Sequence, residues 1–361
     1  MCSDFQKAYQ QIIATENGKS QEIIPKGAEV VLFGYGSVGK DFERHARDFG
    51  VTIVAFLDNV HSGFSQTSQL PIVGPAQVVD YPQALIYLAT LIPRYQEEME
   101  QQLLTLGISA ERIIGAMAMM GCSQDVFETA HLDGYKRTYD LLTDDLSRDV
   151  LRQRIRSYFG RHQFVHSPHE DQYFSPDVIT FTTNEVMVNA GCYDGQTDLA
   201  FIQRMKGSYR HIYAFEPDTS NYENSRRSLQ SVANLTLCQK GLSDKDTTLR
   251  FDARGSGSSR IDETASTSIE VVSLDRFLSN ELHIPTFIKM DIEGAELAAL
   301  KGAEQTIRKH KPKLAICVYH KIEDIYEIPD LIASYGDYVF YLRHYTPWQT
   351  ETVLYAIPRD A

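Results

Sequence analysis

A pair of glycines four residues apart sits where an apolar run gives way to a helical one, at Val188-Asn-Ala-Gly-Cys-Tyr-Asp-Gly-Gln-Thr197. Gly191 and Gly195 omit Cβ atoms where a ligand must lie against the backbone. A helix start leaves free N–H groups and a partial positive charge, which suits a ligand carboxylate. Glu216, in His211-Ile-Tyr-Ala-Phe-Glu-Pro-Asp218, ends the next apolar run. An acid about 20 residues beyond such a loop can accept hydrogen bonds from both hydroxyls of a ribose. The same pair could serve NAD, but the loop lacks the third glycine of GxGxxG. Further along, Asp291 and Glu293 follow the run Phe287-Ile-Lys-Met290, and His320 ends Leu314-Ala-Ile-Cys-Val-Tyr-His320. The two carboxylates could hold a divalent cation such as Mg²⁺, position a cofactor, or bond sugar hydroxyls. A histidine titrating near neutrality could take a proton from a hydroxyl, or be merely structural. Glu296 could do no more than cap or salt-bridge a helix.

Strand–helix alternation must carry these groups. In the N-terminal part, Ala28–Gly34, Val51–Asn59 and Ala84–Thr90 read as buried parallel strands, with helical spacing after Gly39 and in Arg94–Gly107. Pro71-Ile-Val-Gly-Pro75 reads as a turn, and residues 1–24 as a short helix and linker. Residues 121–177 lack apolar strand runs and read as helices, with Ser147 an expected N-cap. A second alternation starts near Val178 and closes on two strands expected to be antiparallel. The chain therefore reads as α/β, with two doubly wound Rossmann-like domains. The expected boundaries are 1–120, a helical connector and candidate active-site cover at 121–177, and 178–361. Doubly wound sheets bind ligands at the carboxyl ends of their strands, which is where Glu216, Asp291 and His320 fall.

Phe287-Ile-Lys-Met-Asp-Ile-Glu-Gly-Ala-Glu296 followed by Leu-Ala-Ala-Leu-Lys-Gly-Ala303 resembles the hallmark of the FkbM-type methyltransferase family. Tyr193-Asp-Gly195, Phe215-Glu-Pro-Asp218, Gly241-Leu-Ser-Asp244 and Ser273-Leu-Asp275 fall in that family's order, and the likeness covers roughly residues 135–357. The resemblance implies a class I methyltransferase fold and S-adenosylmethionine as cofactor. It places cofactor contacts at Asn189, Gly191, Tyr193, Asp194, Gly195, Thr197, Glu216, Asp218, Ser243 and Asp244. It implies O-methylation of a sugar, glycan precursor or related natural product; for that chemistry the strand-end positions make His320, Asp291 and Glu293 the candidate catalytic set. The loop departs from the family pattern at Asn189, where Asp is usual, and at Cys192, where Ala is usual. Asn189 can still accept a hydrogen bond from a methionyl ammonium but forms no ion pair with it.

Other features have weaker claims. Gly255–Ser259 with Arg260 could close over an acceptor or be a solvated turn. His162, His166 and His169 lack metal-ligand spacing. Tyr173-Phe174 could pack under a cofactor or simply in the core. Gly34, Gly36 and Gly39 complete a GxGxxG in strand-to-helix context, and Asp58 stands where a ribose-binding acid is expected. That half could bind NAD(P), a nucleotide or a nucleotide-sugar, or be a structural or dimerising remnant; no Tyr-x-x-x-Lys pair supports redox work. A non-catalytic nucleotide-binding regulator and an NAD(P)-dependent sugar-nucleotide oxidoreductase are the rival readings. With 35 basic against 48 acidic residues and a net charge of −13, no basic stripe offers itself to nucleic acid. No apolar run is long enough to cross a membrane. The polar N-terminus and scattered cysteines lead to an expected cytoplasmic location. A homodimer stays open.

Overall fold

Val30 to Phe33, all fully buried, show why the first apolar run becomes a central strand. The computed structural model describes residues 27–46, 50–90, 93–115, 129–157, 167–252, 260–261, 267–346 and 350–359. The chain divides into two units. The first comprises Met1–Glu128, Arg152–Phe164 and Pro347–Gln349; the second comprises Thr129–Leu151, Val165–Thr346 and Thr350–Ala361.

The first unit holds a six-stranded sheet in the order β3-β4-β2-β1-β5-β6. Its strands are β1 Glu29–Phe33, β2 Thr52–Leu57, β3 Gly63–Phe64, β4 Pro71–Val73, β5 Leu85–Leu88 and β6 Ile113–Gly115. All neighbours are parallel except β3 and β4. Helix α1, Ser37–His45, follows the first glycine loop, and α2, Pro93–Thr105, precedes β6. One sequence expectation fails here, and one strand went unread. The segment read as a turn is strand β4 followed by a 3-10 helix, Pro75–Asp80. Ile113-Ile-Gly115 is a strand too short for its apolar run to stand out. The expected N-terminal helix lies outside the described residues.

The second unit centres on a seven-stranded sheet in the order β16-β17-β15-β14-β7-β8-β9. These are β7 Val186–Ala190, β8 His211–Phe215, β9 Leu235–Cys238, β14 Phe287–Met290, β15 Lys313–Cys317, β16 Tyr338–His344 and β17 Thr352–Pro358. β17 is antiparallel to both neighbours, as the tail of the sequence suggested. Strand order reverses between β7 and β14, the crevice where such sheets hold ligands. A small second sheet, ordered β10-β13-β11-β12, is built from Gly241–Leu242, Thr247–Asp252, Arg260–Ile261 and Thr267–Val272.

Helices α3, Thr129–Leu141, and α4, Asp145–Ser157, come from the stretch read as a connector. The expected N-cap moves. Asp144 precedes α4 and accepts the Ser147 N–H at 2.8 Å, so the aspartate caps the helix. Ser147 instead anchors α4 to the sheet edge, its hydroxyl accepting from the Leu342 N–H and the Arg343 guanidinium. Arg343, only 2% exposed, is paired with Asp144 and Asp177. Two carboxylates around one buried guanidinium keep the charge neutralised where an unpaired ion would cost several kcal/mol.

Candidate active site

The glycine loop is held by close backbone approach. Gly191 has φ 75°, and a Cβ there would lie 1.9 Å from the Asp291 carbonyl oxygen. Gly195 has φ 84° and begins α5, Gln196–Arg204, where a Cβ would meet the Leu229 side chain at 2.9 Å. Only glycine satisfies both demands. Glu216 fixes the loop from the side: its carboxylate accepts the Tyr193 N–H at 2.9 Å and the Asp218 N–H at 3.0 Å. Burial pushes the Glu216 carboxyl up to about 7, against the pull of those two N–H donors.

Asn189 is fully buried and donates through Nδ2 to Asp198 Oδ2 at 2.9 Å. Burial pushes Asp198 up to about 7, with the Asn189 hydrogen bond opposing it. Asn189 Oδ1 and Asp198 Oδ1 are buried acceptors with no donor among the described residues. Such groups ordinarily find a partner, so this corner of the loop is short of a hydrogen-bond donor.

The remaining sequence candidates divide by position. Asp194 accepts the Gln196 N–H at 3.1 Å, while Tyr193 is exposed with φ 53° and Thr197 half-buried in the first turn of α5. Asp218 caps α6, Thr219–Ser228, by accepting from Ser220 and Asn221. Ser243 donates to Asp244 at 3.2 Å, and its carbonyl packs where a Cβ on Gly302 would clash at 1.9 Å. An apolar cavity is lined instead by Gly191, Phe215, Pro217, Gly241, Leu242 and Ile292, among others. A wider cleft of about 610 Å³ adjoins it past Pro217, Asp218 and Gln239. Ser273 and Asp275 serve helix ends: the serine caps α7, Leu274–Leu278, and Asp275 accepts from Gln305 and Thr306 at the start of α9, Glu304–His310.

On the other side of Gly191 lies an acidic cluster. Asp291 follows β14, and its Oδ2 accepts the Tyr173 hydroxyl at 2.7 Å. The Tyr319 hydroxyl lies 3.2 Å from Asp291 Oδ1 and 3.3 Å from Glu351 Oε1. Gln172 donates to the other Glu351 oxygen. Lys289 lies within β14, only 2% exposed, and donates to the Ala190 and Gly191 carbonyls at 3.2 and 2.8 Å. It stands opposite Asn189 in the register of β14 and β7. Burial alone would raise Asp291, but the charges of Lys289 and His320 and the Tyr173 hydroxyl hold it below the usual range.

His320 falls three residues past the end of β15 rather than within it. Its side chain is 8% exposed, with Nε2 3.4 Å from Asp291 and 3.6 Å from Glu293, and Nδ1 3.0 Å from Glu296. Neither ring nitrogen makes an aligned hydrogen bond among the described residues. Burial would lower its pKa, but Glu296, Glu293 and Asp291 overcome that and raise it well above the usual value. In this state the ring holds its proton, so acting as a base would first require losing it. Glu293 has φ 55°, a left-handed backbone that costs a non-glycine residue about 1–2 kcal/mol. Glu296 opens α8, Glu296–Lys301, and accepts the Ile292 N–H at 2.8 Å.

Tyr173, Lys289, Tyr319, Glu351 and Asp198 were not singled out as site residues, although Tyr173 had been weighed as cofactor or core packing. A lysine inside a fully buried strand was the one legible signal. Among the three clustered histidines, His169 is exposed, and His162 and His166 lie outside the described residues. So do residues 253–259 of the glycine–serine loop; Arg260 begins β12.

In the first unit, the four N-terminal candidates do come together. Asp58 accepts the Tyr35 N–H at 2.7 Å and the Val60 and His61 N–H groups at 2.8 Å each. A Cβ on Gly39 would lie 2.1 Å from the Gly34 carbonyl oxygen, while Gly36 faces open space. Both Asp58 oxygens are thus engaged in holding the loop.

Residues 189–340 match the family model described as the methyltransferase FkbM domain. The chain carries an FkbM methyltransferase domain. Its sheet order is that of the class I methyltransferase fold, Rossmann-like with an antiparallel strand inserted near one edge. The structure of methyltransferase FkbM from Methylobacillus flagellatus KT is 22% identical, with 98% of this chain and 100% of that chain covered and a TM-score of 0.75. That likeness shows the fold. Precorrin-6y C5,15-methyltransferase from Geobacter metallireducens GS-15 is 10% identical over 49% of this chain and 82% of its own, with a TM-score of 0.34. A putative rRNA methylase from Clostridium thermocellum is 11% identical over 54% and 98%, with a TM-score of 0.33. These two share too little with the chain to bear on its function. No curated protein matches the chain. Among the described residues, no helix is long and apolar enough to cross a membrane.

Proposed function

We propose that the FkbM domain transfers a methyl group from S-adenosylmethionine to a hydroxyl of a sugar, glycan precursor or related natural product. The observation that carries this reading is the meeting of two unlike surfaces at Gly191. The apolar cavity reaches Gly191 and Ile292, and the acidic cluster begins at Asp291, whose backbone touches Gly191. A molecule with an adenosyl end and a reactive sulfonium needs that juxtaposition.

The residues present fit the cofactor. Asn189 Oδ1 and Asp198 Oδ1, both short of a donor, would receive the methionyl ammonium. Glu216 would accept from the ribose hydroxyls, and the cleft of about 610 Å³ past Pro217, Asp218 and Gln239 would take the base. When bound, the sulfonium supplies an electrophilic methyl. The protein's share is alignment of the acceptor at about 3 Å and removal of its proton. Glu351 suits the second task. Its carboxyl is raised by burial and by the neighbouring Asp291 charge, so it holds a proton more readily than an ordinary carboxylate. Asp291 and Glu293 would bond and orient the acceptor.

Isothermal calorimetry with S-adenosylhomocysteine tests the cofactor reading, and absence of binding at millimolar ligand would end it. For the first unit we hold to a nucleotide-like ligand or a structural role, because Gly36 faces open space while Asp58 is already engaged. A rise in melting temperature with NAD(H) alone would favour the oxidoreductase reading instead.

A further inference from the structure

We infer that Asp291, Glu293 and His320 form a binding site for a divalent transition-metal ion at the acceptor end of the cleft. A cluster of carboxylates would not establish this. The decisive group is His320, a ring that is nine-tenths buried, lacks an aligned hydrogen bond at either nitrogen among the described residues, and directs Nε2 at both carboxylates. Its Nε2, one oxygen of Asp291 and one of Glu293 all lie within 4.8 Å of one another. Donors bound at about 2.1 Å on adjacent corners of a coordination sphere sit about 3 Å apart. The observed 3.4 and 3.6 Å separations need only a small inward movement to reach that spacing.

The surroundings of His320 have the form of a ligand's outer shell. Metal-bound histidines commonly direct their other ring nitrogen at a carboxylate, which fixes the tautomer and the ring plane. Glu296, fully buried, stands 3.0 Å from Nδ1. Its Oε1 is fixed by the Ile292 N–H, so it has little freedom to leave. Binding of the ion displaces the Nε2 proton of the imidazolium; Nδ1 keeps the other, and the Nε2 lone pair then faces Asp291 and Glu293. The Tyr173 hydroxyl holds Asp291 from the opposite oxygen at 2.7 Å, and the ion would share Oδ1 with the Tyr319 hydroxyl, 3.2 Å from it. The left-handed backbone at Glu293 turns that carboxylate back toward the same point.

The donor chemistry selects the kind of ion. Two carboxylates and one imidazole suit Mn²⁺, Fe²⁺ or Zn²⁺ better than Mg²⁺, which prefers oxygen alone. Three protein donors leave coordination positions open to an acceptor's hydroxyl. The use of those positions rests on the methyl-transfer reading; the binding of the ion does not. In that use, the ion withdraws charge from the hydroxyl oxygen and eases loss of its proton, which passes to Glu351. An oxygen lone pair forms the O–CH₃ bond, and the S–CH₃ pair returns to sulfur as a neutral thioether.

The test uses the full chain and Mn²⁺ alone, followed by loss of the free-ion paramagnetic resonance signal. One ion should bind per chain. Glu293→Gln and His320→Gln should each weaken it roughly tenfold or more, and Glu296→Gln, one step removed, by roughly ten- to hundredfold. S-adenosylhomocysteine binding is measured on the same samples. Variants that bind the nucleoside like the wild type but lose Mn²⁺ support the site and show that they are folded. Wild-type protein that binds S-adenosylhomocysteine but takes up no Mn²⁺, or variants that bind Mn²⁺ undiminished, overturn the metal site and leave the methyltransferase reading intact. Mn²⁺ binding without nucleoside binding overturns that reading instead.

Discussion

Cofactor affinity should rise with pH through the neutral range, and Glu216 should be a main cause. Burial places its free-state pKa at about 7. Ribose hydroxyls donating to the carboxylate favour its charged form, so the bound-state value falls and binding releases a proton wherever the free protein still holds one. The sign follows directly. Affinity is weakest below neutrality, climbs as pH passes 7, and levels off above it. With the bound-state value well below 6, Glu216 alone puts affinity at pH 6 about tenfold under its plateau, ~1.4 kcal/mol. Asp198, also at about 7, faces the ammonium and would release a second proton by the same logic. Calorimetry with S-adenosylhomocysteine at pH 6, 7 and 8, in two buffers of different ionisation enthalpy, counts the protons. Glu216→Gln keeps the shape but removes the titrating group. It should release about one proton fewer than the wild type at pH 6, about half a proton fewer at pH 7 and almost none fewer at pH 8, and bind about 1–3 kcal/mol more weakly. A wild-type affinity flat from pH 6 to 8, or an undiminished proton release in Glu216→Gln at pH 6, would refute the ribose contact.

Two further substitutions probe the loop. Gly191→Ala adds a Cβ where the Asp291 carbonyl stands 1.9 Å away, on a backbone with φ 75°; strain and overpacking together should lower stability by about 2–5 kcal/mol, and an unchanged melting temperature would contradict the close approach. Asp198→Asn replaces a carboxyl whose pKa rises from 3.8 to about 7 on folding. Wild-type stability from this group is greatest below pH 3.8 and declines as pH climbs to about 7, at most ~4 kcal/mol. The variant should therefore gain stability relative to wild type at pH 8 but not at pH 4, as read by urea unfolding; equal differences at both would sink the assignment.

The residue types and their order were enough to locate the strands that carry the site. A continuous apolar run in a parallel sheet is buried on both faces, so β7, β8, β14 and β15 could be read with small errors at their ends. The glycine loop, Glu216 and the Asp291–Glu296 block were legible because close backbone approach and helix starts leave local marks. Short elements such as β4 and β6 were not, since three residues carry too little periodicity. Ser147 looked like a cap because its type suits one; only the fold showed Asp144 capping α4 and Ser147 holding the sheet edge.

Sequence by itself determined which backbone segments end at the crevice, because periodicity and glycine placement are local properties. It could not determine the company those ends keep. Tyr173, Glu351 and His320 reach Asp291 from segments 118, 60 and 29 residues away, and only strand order brings them together. The charge state of His320 is likewise a tertiary fact. Read alone, the residue suggested a base titrating near neutrality; surrounded by Asp291, Glu293 and Glu296, it keeps its proton. Coulombic energy depends on separation in space and on exclusion of water, and neither is written in the order of the residues.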